Sequence, residues 1–135
     1  MALQLSVAVR NAMLDAIETA IGTAAVMKIR TGAPPATVAT ADGGTVLATL
    51  SLPSDWLAAA SSGSKAKSGT WEDSSADAAG TAAHLRIYAS DGTTAHLQGT
   101  VTATGGGGDL TVDNTSFASG QSFSVTSFTI SAANS

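Results

Sequence analysis

The 135-residue chain contains no cysteine. Disulfide scaffolding, thiol catalysis and cysteine-ligated zinc are therefore excluded, and its redox compartment leaves no mark on the composition. Basic residues are scarce: Arg10, Lys28, Arg30, Lys65, Lys67 and Arg86 are the whole set. Six scattered cations cannot neutralise a run of phosphates, so no nucleic-acid partner is expected. Long hydrophobic runs are missing too. None approaches the roughly 20 residues that cross a bilayer, and the opening Met1-Ala2-Leu3-Gln4-Leu5-Ser6-Val7 has no positively charged n-region of a signal peptide. The expectation is a chain made and kept in the cytoplasm, without a membrane partner.

What is present is alanine. Hydrophobic residues make up 44% of the chain, but 27 of them are Ala and only 32 are bulky core formers. Charged residues at 12% and apolar positions spread along the chain argue against disorder. The length fits one domain, 1–135. Its core is expected to be thin, because an alanine contributes little transfer energy when buried, and contact with partner subunits would supplement it.

Hydrophobic periodicity predicts one helix over about 6–21, with Val9, Met13, Ile17 and Ile21 at spacing four, Ser6 as cap and Gly22 as stop. Arg10, Asn11, Asp15 and Glu18 fall largely off that stripe. From Ala25 the period becomes two: Met27 and Ile29 alternate with Lys28 and Arg30, as in a strand with one wet face. Thr45–Leu52 is the next strand, followed by a turn through Trp56, Leu57 and Ala60 and a loop from Ser61 to Gly69. The unperiodic 72–80 stretch, with Glu72, Asp73 and Asp77, reads as an exposed connection. Ala83–Ala89 and Ala95–Val101 then form a hairpin. Like faces match only if the turn through Asp91-Gly92 is odd-numbered, which sets Ile87 opposite Leu97 and Tyr88 opposite His96. Gly105–Gly108 reads as a flexible joint. The final strand, about 121–131, changes phase between Phe123/Val125 and Phe128/Ile130. A bulge near Thr126-Ser127 would keep all four inside; otherwise each pair serves a different surface. The whole pattern predicts a mainly β fold, a β-sandwich or jelly roll over about 25–132 preceded by one helix.

Chemistry finds little to work with. His84 and His96 would share a solvent-facing surface with Arg86, Tyr88 and Gln98, but a metal needs three or four converging ligands. Asp109, Asp113 and Asn114 offer hard oxygens without a twelve-residue calcium loop. No serine sits in a Gly-x-Ser-x-Gly turn, and three acids close together on a loop do not face each other across a sugar. No catalytic residue, metal or cofactor is expected. Trp56 and Trp71 either plug core gaps or anchor a partner.

The run Leu3-Gln4-Leu5-Ser6-Val7-Ala8-Val9-Arg10-Asn11-Ala12-Met13-Leu14-Asp15-Ala16-Ile17-Glu18, with Lys28-Ile29-Arg30-Thr31-Gly32-Ala33-Pro34-Pro35, resembles small virion proteins of tailed bacteriophages and prophages. Gly69-Thr70-Trp71, His84-Leu85-Arg86-Ile87-Tyr88 and Gly105–Asn114 extend the resemblance. It implies a non-enzymatic structural protein: a jelly-roll capsid cement or decoration protein, or a small tail component. Such a protein would be made in the bacterial host cytoplasm, located in the virion, homo-oligomeric, and in contact with major capsid or tail subunits. A β-sandwich module binding a surface glycan is the alternative from another class. The candidate interface residues are Val9, Met13, Ile17, Ile21, Trp56, Tyr88 and His96.

Overall fold

The computed structural model describes residues 3–132; the ends of the expected 1–135 domain lie outside them. The fold is mainly β with one helix. Helix α1 spans Val7–Ile21. The strands are β1 (Val26–Arg30), β2 (Val46–Ser51), β3 (Ser64–Ala66), β4 (Trp71–Asp73), β5 (Gly80–Thr81), β6 (His84–Tyr88), β7 (Ala95–Ala103), β8 (Leu110–Val112), β9 (Ser116–Phe117), β10 (Phe123–Val125) and β11 (Thr129–Ser131). A five-stranded sheet has the order β2-β1-β6-β7-β8, and three two-stranded ladders join β10 to β4, β11 to β3 and β5 to β9.

One face of the large sheet is apolar. Met27, Ile29, Leu50, Leu85 and Ile87 are fully buried there, and Trp56, Trp71, Phe123, Val125 and Phe128 from the shorter segments close the same core. Trp71 sits at its centre, with ring centroids 6.0 Å from Trp56 and 5.6 Å from Phe128. Tilted pairs of this kind add about 0.5–1.5 kcal/mol each beyond area burial. The two tryptophan N–H groups are satisfied by the carbonyls of Gly22 and Ser68.

Several expectations need correction. The 61–69 segment is not a plain loop, because it contains β3, whose Lys65 is buried. The 72–80 stretch is pinned rather than free: Asp73 accepts from the Thr49 N–H and Asp77 from the Thr49 hydroxyl, which ties it to the β2 edge. The last strand is two strands, β10 and β11, separated by a break. Phe123, Val125, Phe128 and Ile130 all join the core nonetheless, so the phase change reflects the break and not a bulge.

The hairpin keeps Ile87 opposite Leu97 and Arg86 opposite Gln98, but Tyr88 pairs with Ala95. A bulge at His96 absorbs one residue, so the Ala89–Thr94 hydrogen bond encloses an even-numbered turn. Asp91 closes that turn by accepting from the N–H groups of Thr93 and Thr94. The expected Tyr88–His96 pair and odd turn fail because the strand itself changes register.

Gly105–Gly108 is not a flexible joint. β7 and β8 run parallel, Val101 beside Leu110, across a connection of only residues 104–109. Parallel neighbours ordinarily need a crossover of about a dozen residues. Here the return lies flat on β7: Gly108 N–H donates to Thr102 Oγ1 and Asp109 N–H to Thr100 Oγ1. A Cβ on Gly106 would fall 2.7 Å from Thr102 Cβ, so the glycine is demanded by close approach.

Candidate functional site

The outer face of the large sheet carries alternating polar side chains, and sequence logic leaves that face to water. Instead, the segment 31–45 folds over it. Asp42 is the hub: Arg30 donates to Oδ2 at 2.9 Å, while Arg86 at 2.7 Å and the Tyr88 hydroxyl at 2.8 Å donate to Oδ1. The Arg86 guanidinium also donates to the carbonyls of Thr37, Val38 and Thr40 and to Gln98 Oε1. Gln98 Nε2 in turn donates to the Pro35 carbonyl. Burial opposes the Asp42 charge, but the Tyr88 hydroxyl and the two guanidiniums outweigh it and hold its pKa below the ordinary 3.8. The bonding of Arg86 is directed inward, so the cluster acts as a clasp between sheet and loop. His84 shares this buried face; its Nδ1 lies 2.6 Å from the Gly32 carbonyl, and its Nε2 has no hydrogen-bond partner among the described residues.

Helix α1 docks through a mixed face. Leu14 and Ile21 are buried, and Ile17 packs against the core. Beside them, Asn11, Asp15 and Glu18 follow the 4, 3 spacing of one helical stripe and accept from the N–H groups of Gly63, Ala60 and Leu57. The buried Lys65 ammonium is held by Asp15 at 2.7 Å and Glu18 at 3.2 Å. The polar residues assigned away from the packing face thus complete it. The opposite face, Ala8, Val9, Ala12, Met13, Ala16 and Ala20, is exposed and has no charged residue.

A groove of about 420 Å³ opens between β7 and β11. Leu85, Leu97, Phe128 and Ile130 give it apolar walls, and Gln98, Asp109 and Ser131 lie on it. Among the described residues, β8 pairs with β7 only at Val101–Ala103, and β11 pairs only with β3.

The interface candidates therefore scatter. Val9 and Met13 are about half exposed, at 46% and 50%, and do not pack the helix onto the sheet as the stripe suggested. Ile17 and Ile21 face the chain's own core. Trp56 and Tyr88 are completely buried and cannot be outward anchors, whereas His96 is exposed at the bulge. His84, Arg86 and Tyr88 do share a face with Gln98, but one that is covered. All six aromatic residues are buried. Asp42, Lys65 and the 31–45 cover were not found from sequence; a buried-strand pattern of five consecutive closed positions in β6 depends on a covering loop that has no periodicity.

Among the described residues no group of three or more His, Asp and Glu gathers as a metal-binding set, and no helix is long and apolar enough to cross a membrane. Compared with family models, curated proteins and solved structures, the chain finds no match in any of the three.

Proposed function

We propose that the protein is a structural subunit of a tailed-phage particle, a capsid cement or decoration protein that acts by contact with its own copies and with major capsid subunits. The observation that carries this reading is the outer face of α1, where six exposed residues at helical spacing, four of them alanines, expose no charge. A helix face of this kind permits close approach of a second surface and contributes nothing to the chain's own core. The resemblance of the α1 and β6 sequences to small virion proteins supports the same assignment, with the virion as location and the host cytoplasm as the place of synthesis.

We read the architecture as a reduced β-sandwich, close to a jelly roll: the five-stranded sheet is one layer and the β4/β10 and β3/β11 ladders supply the other across the core. The reading assigns no catalytic step. Glu72, Asp73 and Asp77, the only acidic cluster in the sequence, include two carboxylates already engaged by Thr49. The glycan-binding alternative loses its support, because such a face stacks sugars on exposed aromatics and all six here are buried.

The test is quantitative mass spectrometry of purified particles. Hundreds of copies per particle are expected for a cement protein, and particles assembled without it should lose mechanical robustness. A handful of copies would move the protein to a tail connector or fibre attachment, and its absence from particles would overturn the reading.

A further inference from the structure

We infer that the β7 edge at Ala95–Gly99 is a self-pairing surface, on which the same edge of a second copy lies antiparallel about a two-fold axis at Leu97. The inference rests on the proposed reading of the chain as a self-associating subunit, and it names the strand that associates. Its first support is the state of the edge. Val101 donates its N–H to the Ala83 carbonyl on the β6 side, whereas Thr100 donates to Asp109 on the other side. Alternation then turns the peptides of His96 and Gln98 away from β6. Among the described residues the only strand that pairs with β7 on that side is β8, and it does so only at Val101–Ala103. Backbone donors and acceptors at His96 and Gln98 therefore meet the requirement for strand addition.

The two ends of the open stretch fix the register. At one end Asp109 already occupies the edge: its carboxylate accepts from the Thr100 N–H and hydroxyl, and its own N–H donates to Thr100 Oγ1. At the other end the chain leaves the sheet through the turn closed by the bond from the Ala89 N–H to the Thr94 carbonyl. Leu97 is the centre of what lies between. An antiparallel copy that clears both ends sets Leu97 against Leu97, His96 against Gln98 and Ala95 against Gly99, and the His96 and Gln98 peptides exchange bonds in both directions. Gly99 has little room beside it, because a Cβ there would stand 3.0 Å from Asp109 Cβ. The residue brought opposite is the small Ala95.

The chemistry of the stretch selects a second copy as its occupant. Ala95-His96-Leu97-Gln98-Gly99 contains no Lys, Arg, Asp or Glu, and charged side chains are the usual guard of an exposed edge. A two-fold axis brings identical residues together, which an uncharged stretch tolerates and a charged one does not. Leu97 is only partly buried and walls the groove with Leu85, Phe128 and Ile130. Its own peptide bonds toward β6, so in the pair it takes a non-hydrogen-bonded position, where opposed side chains come closest. Each leucine then covers the mouth of its partner's groove. A contact this short falls below the roughly 1,200 Å² of a stable complex, so it acts where copies are concentrated.

Because the chain has no cysteine, a single introduced one reports the axis. Full-length Leu97→Cys protein is mildly oxidised at high concentration, with Ser119→Cys, at an exposed position, as the control. A disulfide-linked homodimer is expected at least tenfold above the control, and circular dichroism verifies that the fold is kept. The unmodified protein gives a second measurement that needs no variant: amide exchange at His96 and Gln98 should slow at least twofold as the protein is concentrated, while exchange at Ser119 stays constant. Linkage at the control level in a folded variant would overturn the pairing, as would exchange at Gln98 that ignores concentration. Dimers whose Gln98 amide exchanges as in the monomer would place the contact elsewhere and overturn it equally. Pairing by a protein absent from phage particles would leave the edge contact standing and remove the virion reading; many copies on particles without protection at Gln98 would do the reverse.

Discussion

Arg86 and Asp42, 44 residues apart in sequence, are joined by a 2.7 Å hydrogen-bonded ion pair on the outer face of the sheet. Arg86 is almost wholly buried, and Asp42 sits at the rim of the cover. The pair helps to convert a polar strand face into an interior one, with Arg86, His84 and Tyr88 all buried on it.

Removing the guanidinium should therefore unfold more than the loop. Arg86→Leu leaves Asp42 and Gln98 short of a donor and frees the carbonyls of Thr37 and Thr40. Asp42, partly exposed, keeps Arg30 and Tyr88 as donors, so a loss of about 1–3 kcal/mol is expected from the acceptors left without a partner. Urea titration checks it; a change below about 1 kcal/mol would mean that the cover is dispensable.

Stability is expected to fall at both ends of the pH scale. Asp42 is held below 3.8 despite burial, and Asp15 is held low chiefly by the hydrogen bond from Lys65 and then by the Ala60 N–H. Depressed carboxylates stabilise the fold above their unfolded pKa, about 4, and that contribution is lost as pH drops through the folded values. Burial opposes the Lys65 charge, but Asp15 and Glu18 outweigh it and raise its pKa above 10.5. Tyr88 is raised first by burial and then by Asp42. Raised groups contribute fully below their unfolded pKa, about 10, and lose that contribution as pH climbs through the folded values. Melting temperatures measured across the range should show an acid and an alkaline limb, and Tyr88→Phe should blunt the alkaline one.

Helix docking separates two neighbouring residues. Leu14→Ala should cost about 2–5 kcal/mol, since Leu14 is 2% exposed. Met13→Ala should change the stability of the isolated subunit by no more than about 0.5 kcal/mol. Thermal melts of the two variants side by side decide between this face and the Val9/Met13 face read from spacing alone.

The glycine return offers a backbone test. Gly106→Ala would place its Cβ within 2.8 Å of Thr102 Oγ1 and 3.0 Å of the Ala103 carbonyl. A loss of about 1–3 kcal/mol is expected from such crowding. A flexible joint would tolerate the same change with no measurable shift in a denaturant midpoint.

The contrast between these tests marks how far the sequence could be read. Ser6, Gly22 and the Met27/Ile29 alternation carry their structure locally, in caps and period, and the helix and β1 followed. Ile87 opposite Leu97 was legible because face matching constrains register. The His96 bulge was not, since one extra residue leaves alternation on either side intact. Asp42, set in an unperiodic stretch of Pro, Thr and Gly, gives no sign that two arginines from distant strands converge on it. The helix docking face is hidden for a related reason: Asn11, Asp15 and Glu18 are polar, yet their partners are backbone N–H groups around β3 and not water. The groove needed both β7 and β11 in space before it could be seen.

The cover over the polar face also has an asymmetry in its bonding. Arg30, Arg86 and Gln98 hold the segment 35–44 by its carbonyls, at Pro35, Thr37, Val38, Thr40 and Gly44. Its amides are engaged far less, with Thr40 N–H closing a turn onto Thr37. Amide exchange and proteolysis should then disagree there: deuterium would enter quickly at amides that face water, while a protease, which must peel an extended stretch into its cleft, would find the chain fastened from below.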